Sequence, residues 1–295
     1  MHMLIFGHGY TAAALTPQLV AAGWTVSGTT RTDPGRVTAA GAQPILWPGN
    51  EALLRDEIAR ADAILISTAP DLSTGDPVLA AFAEDLVRAR PQWVGYLSST
   101  NVYGDRGGDW VDETTPPHPT TSRGQARLRA EADWTALADR AGWPLTIFRL
   151  AGIYGPGRGP FAKLRNGTAR RIVKPGQVFS RIHVDDIAGA ILASVDKTGA
   201  DSPNAAASTQ IYNLCDDAPA APESTIEIAA RLLGLPVPPA EPFDQATMTP
   251  MARSFYAESK RVRNDRLKQD LAYRLRYPDL EAGLSAILAS EGGLA

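Results

Sequence analysis

The stretch that most limits what this chain can fold into is Met3-Leu-Ile-Phe-Gly-His-Gly-Tyr-Thr-Ala12. Met3 to Phe6 are continuously apolar, the pattern of a strand buried on both faces in a parallel sheet. Gly7, Gly9 and Ala12 then follow in the spacing G-x-G-x-x-G/A. In such a turn the first glycine permits a tight bend and the second lets a diphosphate approach the backbone. The small third residue lets helix and strand pack closely. Ala13, Ala14, Leu15, Leu19 and Ala22 continue a helix that Gly23 stops. The helix N-terminus, with Tyr10 and Thr11 in its first turn, offers free N–H groups and a positive dipole end to an anion. The spacing predicts dinucleotide binding at Gly7, Gly9, Tyr10 and Thr11, with a plain strand–turn–helix as the alternative.

A chain of 295 residues can build one large α/β domain with a smaller appended lobe. Its net charge of −3 provides no basic face for nucleic acid or an anionic membrane. The single cysteine, Cys215, excludes an intrachain disulfide framework and fits a reducing cytoplasm, the expected location. The N-terminal apolar run is interrupted by Gly7, too soon for a signal peptide or a membrane span. Biased composition is confined to Pro/Ala/Asp/Ser stretches at 196–209 and 216–224.

Strand and helix alternate onward. Strands are expected at 24–30, 44–47, 63–69 and 93–98, and helices at 52–61 and 78–90. That alternation implies a right-handed, doubly wound parallel sheet of Rossmann type, in which ligands bind beyond the carboxyl ends of the strands. The rule gathers the glycine loop, Thr30, Arg31, Ser67, Thr68, Ala69, Ser98 and Ser99 at one edge. Small residues at 67–69 would let an adenosine lie against the backbone. After the second strand, an acidic residue would accept from a free ribose hydroxyl. Thr29, Thr30 and Arg31 stand there instead and suit a 2′-phosphate, so NADP is the expected cofactor; Asp33 keeps NAD as the alternative.

At Leu97-Ser-Ser-Thr-Asn-Val-Tyr-Gly-Asp105 the chain resembles the extended short-chain dehydrogenase/reductases, the NAD(P)-dependent epimerases and dehydratases. Glu113 to Pro119, Arg149 to Gly157, Arg181 to Ala188, Ile211 to Leu214 and Ser259 to Asn264 continue the pattern in order, over nearly the whole chain. The resemblance implies a Rossmann-type cofactor domain from 1–151 plus about 181–214. A smaller substrate lobe would take about 152–180 plus 215–295. It also implies a small-molecule substrate, anionic or nucleotide-linked, and a homodimer through the helices at 78–90 and 123–140.

The family's chemistry uses a Ser/Thr together with Tyr-x-x-x-Lys on one helix face. The Lys holds a ribose and lowers the Tyr pKa, and the Tyr moves a proton at the substrate oxygen while hydride moves at the nicotinamide. Ser99 matches the Ser/Thr. The helix positions fall on Arg123 and Arg127, and a shift by one offers only Ser122 and Ala126. Arg127 can hold a ribose hydroxyl. Arg123 stays protonated near pH 7, so it can bind an anionic group or an oxyanion but cannot replace tyrosine as proton donor. Ser99, Arg123 and Arg127 are therefore the expected active-site residues of an atypical extended member. Tyr103, Tyr154 or a water remain as proton sources, although both tyrosines read more simply as packed. Thr100 and Asn101 replace the acidic pair of the dehydratases, which argues against sugar dehydration.

Other polar residues read as structural. His183, Asp185 and Asp186 have a spacing that could share a cation. An Asp185 or Asp186 helix cap beside a packed His183 is simpler, and no metal is expected. His8, between the glycines, could touch a phosphate, and His118 reads as a loop residue. Lys163, Arg165, Arg170, Arg171 and Lys174, and again Lys260, Arg261 and Arg263, could meet an acidic or phosphorylated substrate or form a solvated face. Two functions follow: an NAD(P)-dependent oxidoreductase or epimerase on a small molecule, or a non-catalytic NADP(H)-binding sensor or scaffold.

Overall fold

A computed structural model describes residues 1–200 and 208–292; residues 201–207 of the Pro/Ala-rich stretch lie outside them. The first half alternates β1 (His2–Phe6), α1 (Tyr10–Ala21), β2 (Thr25–Thr30), α2 (Pro34–Ala39), β3 (Gln43–Leu46), α3 (Glu51–Arg60), β4 (Ala63–Ile66), α4 (Pro77–Arg88) and β5 (Trp93–Ser99). A 3-10 turn (Thr100–Tyr103), β6 (Trp110–Val111) and α5 (Ser122–Ala141) lead into β7 (Leu145–Leu150). There follow β8 (Gly152–Tyr154), α6 (Phe161–Arg165), β9 (Arg171–Val173), β10 (Arg181–His183), α7 (Val184–Ala200) and β11 (Thr209–Leu214). The remainder comprises α8 (Ser224–Leu232), β12 (Ala240–Pro242), α9 (Pro250–Ser254), β13 (Arg261–Val262), α10 (Asp265–Asp270) and α11 (Leu280–Ser290).

Seven strands form one parallel sheet in the order β11-β7-β5-β4-β1-β2-β3. This is the Rossmann-type, doubly wound sheet that the alternation implies. The direction of winding reverses between β1 and β4, where the crevice of such a sheet opens. The two-residue period of β1 divides its side chains between two cores. Met3 and Ile5 pack with residues of α1 and α7, while Leu4 and Phe6 pack with residues of α3, α4 and α5. All four are fully buried, each stabilising the sheet by roughly 1.5–3 kcal/mol. Both faces are thus covered, which is why the run is apolar without alternation.

β4 stops at Ile66, short of the expected 69, because Ser67 to Ala69 leave the sheet and Thr68 folds over Gly7. A third core joins Tyr154, Phe161 and Leu164 to Ala229, Leu233, Leu284 and Ile287, all in stretches assigned above to a substrate lobe. Val262, Leu267 and Leu271, in the stretch assigned above to that lobe, pack instead in the core shared by α1 and α7. β13 pairs there with β6. Among the described residues no helix is long and apolar enough to cross a membrane.

Candidate active site

The turn after β1 has the geometry its glycines require. Gly7 adopts φ +82°, and a Cβ there would lie 2.9 Å from Thr68 Cγ2 and 3.0 Å from Thr68 N. Its N–H donates to Thr29 Oγ1 at 2.7 Å. Gly9 is the N-cap of α1 and supplies no side-chain cap, so the first N–H groups, at Tyr10 and Thr11, point out of the helix uncapped. A Cβ on Gly9 would meet nothing nearer than Gly7 O at 3.8 Å, leaving that side open. Ala12 is fully buried. The Thr68 hydroxyl, packed against this turn, is buried without a partner.

His8 does not face a phosphate. Its ring turns inward, 1% exposed, and Nε2 lies 2.8 Å from Thr16 Oγ1. It fills the space over Gly28, where a Cβ would come within 2.6 Å of the ring. Burial holds the imidazole below its ordinary pKa, so it is neutral at pH 7.

Past the end of β2, Thr30 accepts the Asp33 N–H and Arg31 is exposed. The Asp33 carboxylate caps α2, accepting the Arg36 N–H at 3.0 Å. Arg36 Nη2 in turn donates to the His8 carbonyl at 3.1 Å, so a second guanidinium stands beside the glycine turn. Sequence reasoning missed Arg36, since nothing in its spacing announces that α2 points it back at the turn. Ser67 and Thr68 are half-buried past β4, and Ala69 is exposed there.

At the other end, Ser99 Oγ accepts the Asn101 N–H and starts the 3-10 turn. Thr121 caps α5 through the Gly124 N–H at 3.1 Å. Gly124 lies so close to Asn101 that a Cβ would be 2.7 Å from its carbonyl oxygen, which fixes the start of α5 against that turn. Ser99, Asn101 and the exposed Arg123 line a cavity of about 990 Å³ together with Phe179, Arg181 and Lys260. One helical turn on, Arg127 points elsewhere. Its Nη1 donates to Leu97 O at 2.7 Å and Tyr96 Oη at 3.1 Å, with Thr68 O at 3.4 Å, across the ends of β4 and β5.

Ser98 is a correction. Strand alternation turns its hydroxyl into the interior, where it donates to Glu131 Oε1 at 2.5 Å. Arg149 grips the same carboxylate through Nη2 at 2.7 Å and Nε at 3.1 Å, and donates from Nη1 to Tyr103 Oη at 3.0 Å. Tyr103 passes the chain on to Asn213 Oδ1 at 2.8 Å. Its burial pushes the phenol pKa up to about 12. Tyr154 donates to Asp279 O, and burial raises its pKa strongly. Neither tyrosine is poised to give a proton near neutrality.

The His183 group differs in detail from the expected cap. His183 Nδ1 accepts the Asp185 N–H, making His183 the residue that serves the start of α7. Asp186 reaches across to the Tyr273 hydroxyl and the Arg276 and Tyr277 N–H groups. Of the basic cluster, Arg165, Arg170 and Arg171 pair with Glu291, Glu241 and Glu227. Lys260 is buried in the cavity wall, donating to Glu258 Oε2 at 2.7 Å and Gly104 O at 2.9 Å.

Residues 77–215 match the sequence profile of the NAD dependent epimerase/dehydratase family. Protein YeeZ of Escherichia coli (strain K12) is 32% identical to this chain, over 93% of it and 96% of YeeZ. The chain belongs to the NAD-dependent epimerase/dehydratase family. A solved structure of a functionally unknown conserved protein from Silicibacter pomeroyi DSS is 51% identical, with a TM-score of 0.86 over 98% of this chain and 99% of that one. The human epimerase family protein SDR39U1, solved with NADPH, shares the fold at 19% identity, with a TM-score of 0.71 over 98% of this chain and 99% of that one. The chain carries arginines at 123 and 127 on α5. One lies at the cavity and the other across the strand ends.

Proposed function

We propose that the chain binds NADP(H) along the carboxyl ends of β1, β2, β4 and β5 and acts as a reductase or epimerase on an anionic small molecule. The observation that carries this reading is the placement of Arg123 and Ser99 in the wall of one 990 Å³ cavity, with Ser99 at the same carboxyl edge of the sheet as the glycine turn. The residues present fit a dinucleotide: the uncapped α1, the open side of Gly9 and the partnerless Thr68 hydroxyl all lie there. Arg31 and Arg36 supply positive charge for a 2′-phosphate, and Asp33, engaged with the Arg36 N–H, is drawn away from a free ribose hydroxyl. When bound, the nicotinamide supplies hydride transfer.

The chain's own residues then divide the remaining work. Arg127 braces the ends of β4 and β5 on the ribose side. Ser99 orients the substrate oxygen, and the Arg123 guanidinium holds its anionic group or stabilises charge on that oxygen. With position 123 unable to donate and both nearby tyrosines engaged, the proton comes through water in the cavity. The test is titration with NADPH and NADH followed by turnover on carbonyl compounds that carry a carboxylate or phosphate. Tighter NADPH binding and oxidation restricted to anionic substrates are expected. Binding without turnover across that panel would favour the sensor or scaffold reading, and no binding of either nucleotide would end both.

A further inference from the structure

Arg158, which belongs to none of the motifs above, touches both the start of α1 and the cavity. It follows β8 in the turn Gly155-Pro-Gly-Arg158, closed by the Arg158 N–H on the Gly155 carbonyl at 2.9 Å. Its guanidinium lies 4.0 Å over the ring of Tyr10, the first residue of α1. Tyr10 Oη donates to the Pro156 carbonyl at 2.8 Å, tying the glycine turn to the same loop. Gly155 makes that approach possible: at φ +154°, a Cβ there would stand 2.6 Å from Tyr10 Oη and 2.7 Å from Val184 Cγ1. Arg158 also lines the substrate cavity. It is exposed, and its guanidinium makes no ion pair or hydrogen bond among the described residues.

We infer that Arg158 is a clamp for the diphosphate of the bound dinucleotide, parked on the Tyr10 ring until the ligand arrives. This rests on the dinucleotide reading above. A diphosphate seated on the Tyr10 and Thr11 N–H groups lies beside the Tyr10 ring, within the sweep of an arginine side chain anchored there. An exposed cation–π contact is weaker than a charge-assisted, forked hydrogen bond to phosphate, so the guanidinium exchanges the ring for the anion. No other charged side chain is needed to hold it: Asp185, whose charge also acts on Tyr10, repels the ligand and draws no hydrogen bond from Arg158. The clamp closes the diphosphate from the cavity side, so it slows cofactor release without choosing between NADP and NAD.

The test compares wild type, Arg158→Ala and Arg158→Lys by NADPH fluorescence titration and stopped-flow displacement. Calorimetry with adenosine 2′-phosphate, which lacks the diphosphate, serves as the reference. Arg158→Ala should weaken NADPH about tenfold, mostly through faster release, and Arg158→Lys should fall between. Adenosine 2′-phosphate should bind all three proteins equally. Unchanged NADPH affinity in Arg158→Ala, or equal losses for both ligands, would overturn the clamp and leave NADP binding standing. Failure of wild type to take up NADPH would instead remove the dinucleotide reading, and the clamp with it.

Discussion

Arg31 and Arg36, past the end of β2, come from different parts of one β–α unit, and under the proposed NADP reading they should not contribute equally. Arg31 is exposed and unconstrained, whereas Arg36 is held by the His8 carbonyl beside the glycine turn. Replacing either with Ala should weaken NADPH by roughly 1.5–3 kcal/mol while leaving NADH nearly unchanged, as read from paired titrations. The Arg36 variant should be the more severe, because its guanidinium is already positioned. At the other end, Arg123→Ala should raise KM for an anionic substrate about tenfold or more without changing NADPH affinity. A variant that loses NADPH affinity instead would move Arg123 from the substrate to the cofactor. Residues of this kind are only partly legible in sequence. Arg31 is legible because it directly follows a strand, but the placement of Arg36 depends on how Asp33 caps α2. Ser98 and Ser99 are neighbours of one type, and only the direction of the pleat at the end of β5 separates an interior hydroxyl from one at the cavity.

At the scale of elements, the site depends on where helices begin. α1 starts uncapped at Gly9, and α5 starts at Thr121, locked against the 3-10 turn by the Gly124 contact. Gly9→Val should abolish NADPH binding by filling the open side of the turn, with little loss of thermal stability, since a Cβ there meets only Gly7 O, at an unstrained 3.8 Å. Gly124→Ala should do the reverse. Its methyl would collide with the Asn101 carbonyl, lowering the melting temperature and displacing Arg123 and Ser99 together. The order of elements and the nature of the first turn were readable because apolar runs, glycines and spacing act locally. The end of β4 was not, since Ser67 to Ala69 are drawn out of the sheet by packing over Gly7, a contact between residues far apart in the chain.

For the whole molecule, stability should carry a pH signature from Asp216. This carboxyl is buried, and burial raises its pKa from 3.8 to about 7, with the Arg181 charge opposing that shift. An acid whose folded pKa is raised stabilises the fold fully below its unfolded pKa and loses that contribution as pH rises through the folded value. Wild type should therefore lose stability between about pH 4 and pH 7, by on the order of a few kcal/mol. Asp216→Asn should flatten that slope in chemical denaturation measured across the range. The Ser98–Glu131–Arg149–Tyr103–Asn213 chain is the second global feature, joining β5, α5, β7 and β11 behind the active site. Removing one partner by Glu131→Ala should cost roughly 3–5 kcal/mol, because it strands the buried Arg149 charge. By itself, the amino-acid sequence determined the parallel sheet, the glycine turn that opens the first helix and the family, because periodicity, glycine conformation and motif order are written over a few residues at a time. Tertiary structure alone decided that His8 turns inward, that Arg36 reaches the glycine turn and that Arg158 reaches α1. It also decided that Arg123 and Arg127 part company and that residues 262–271 pack against the cofactor sheet. Each of these depends on which surfaces meet when distant segments close a core, and no local pattern carries that information.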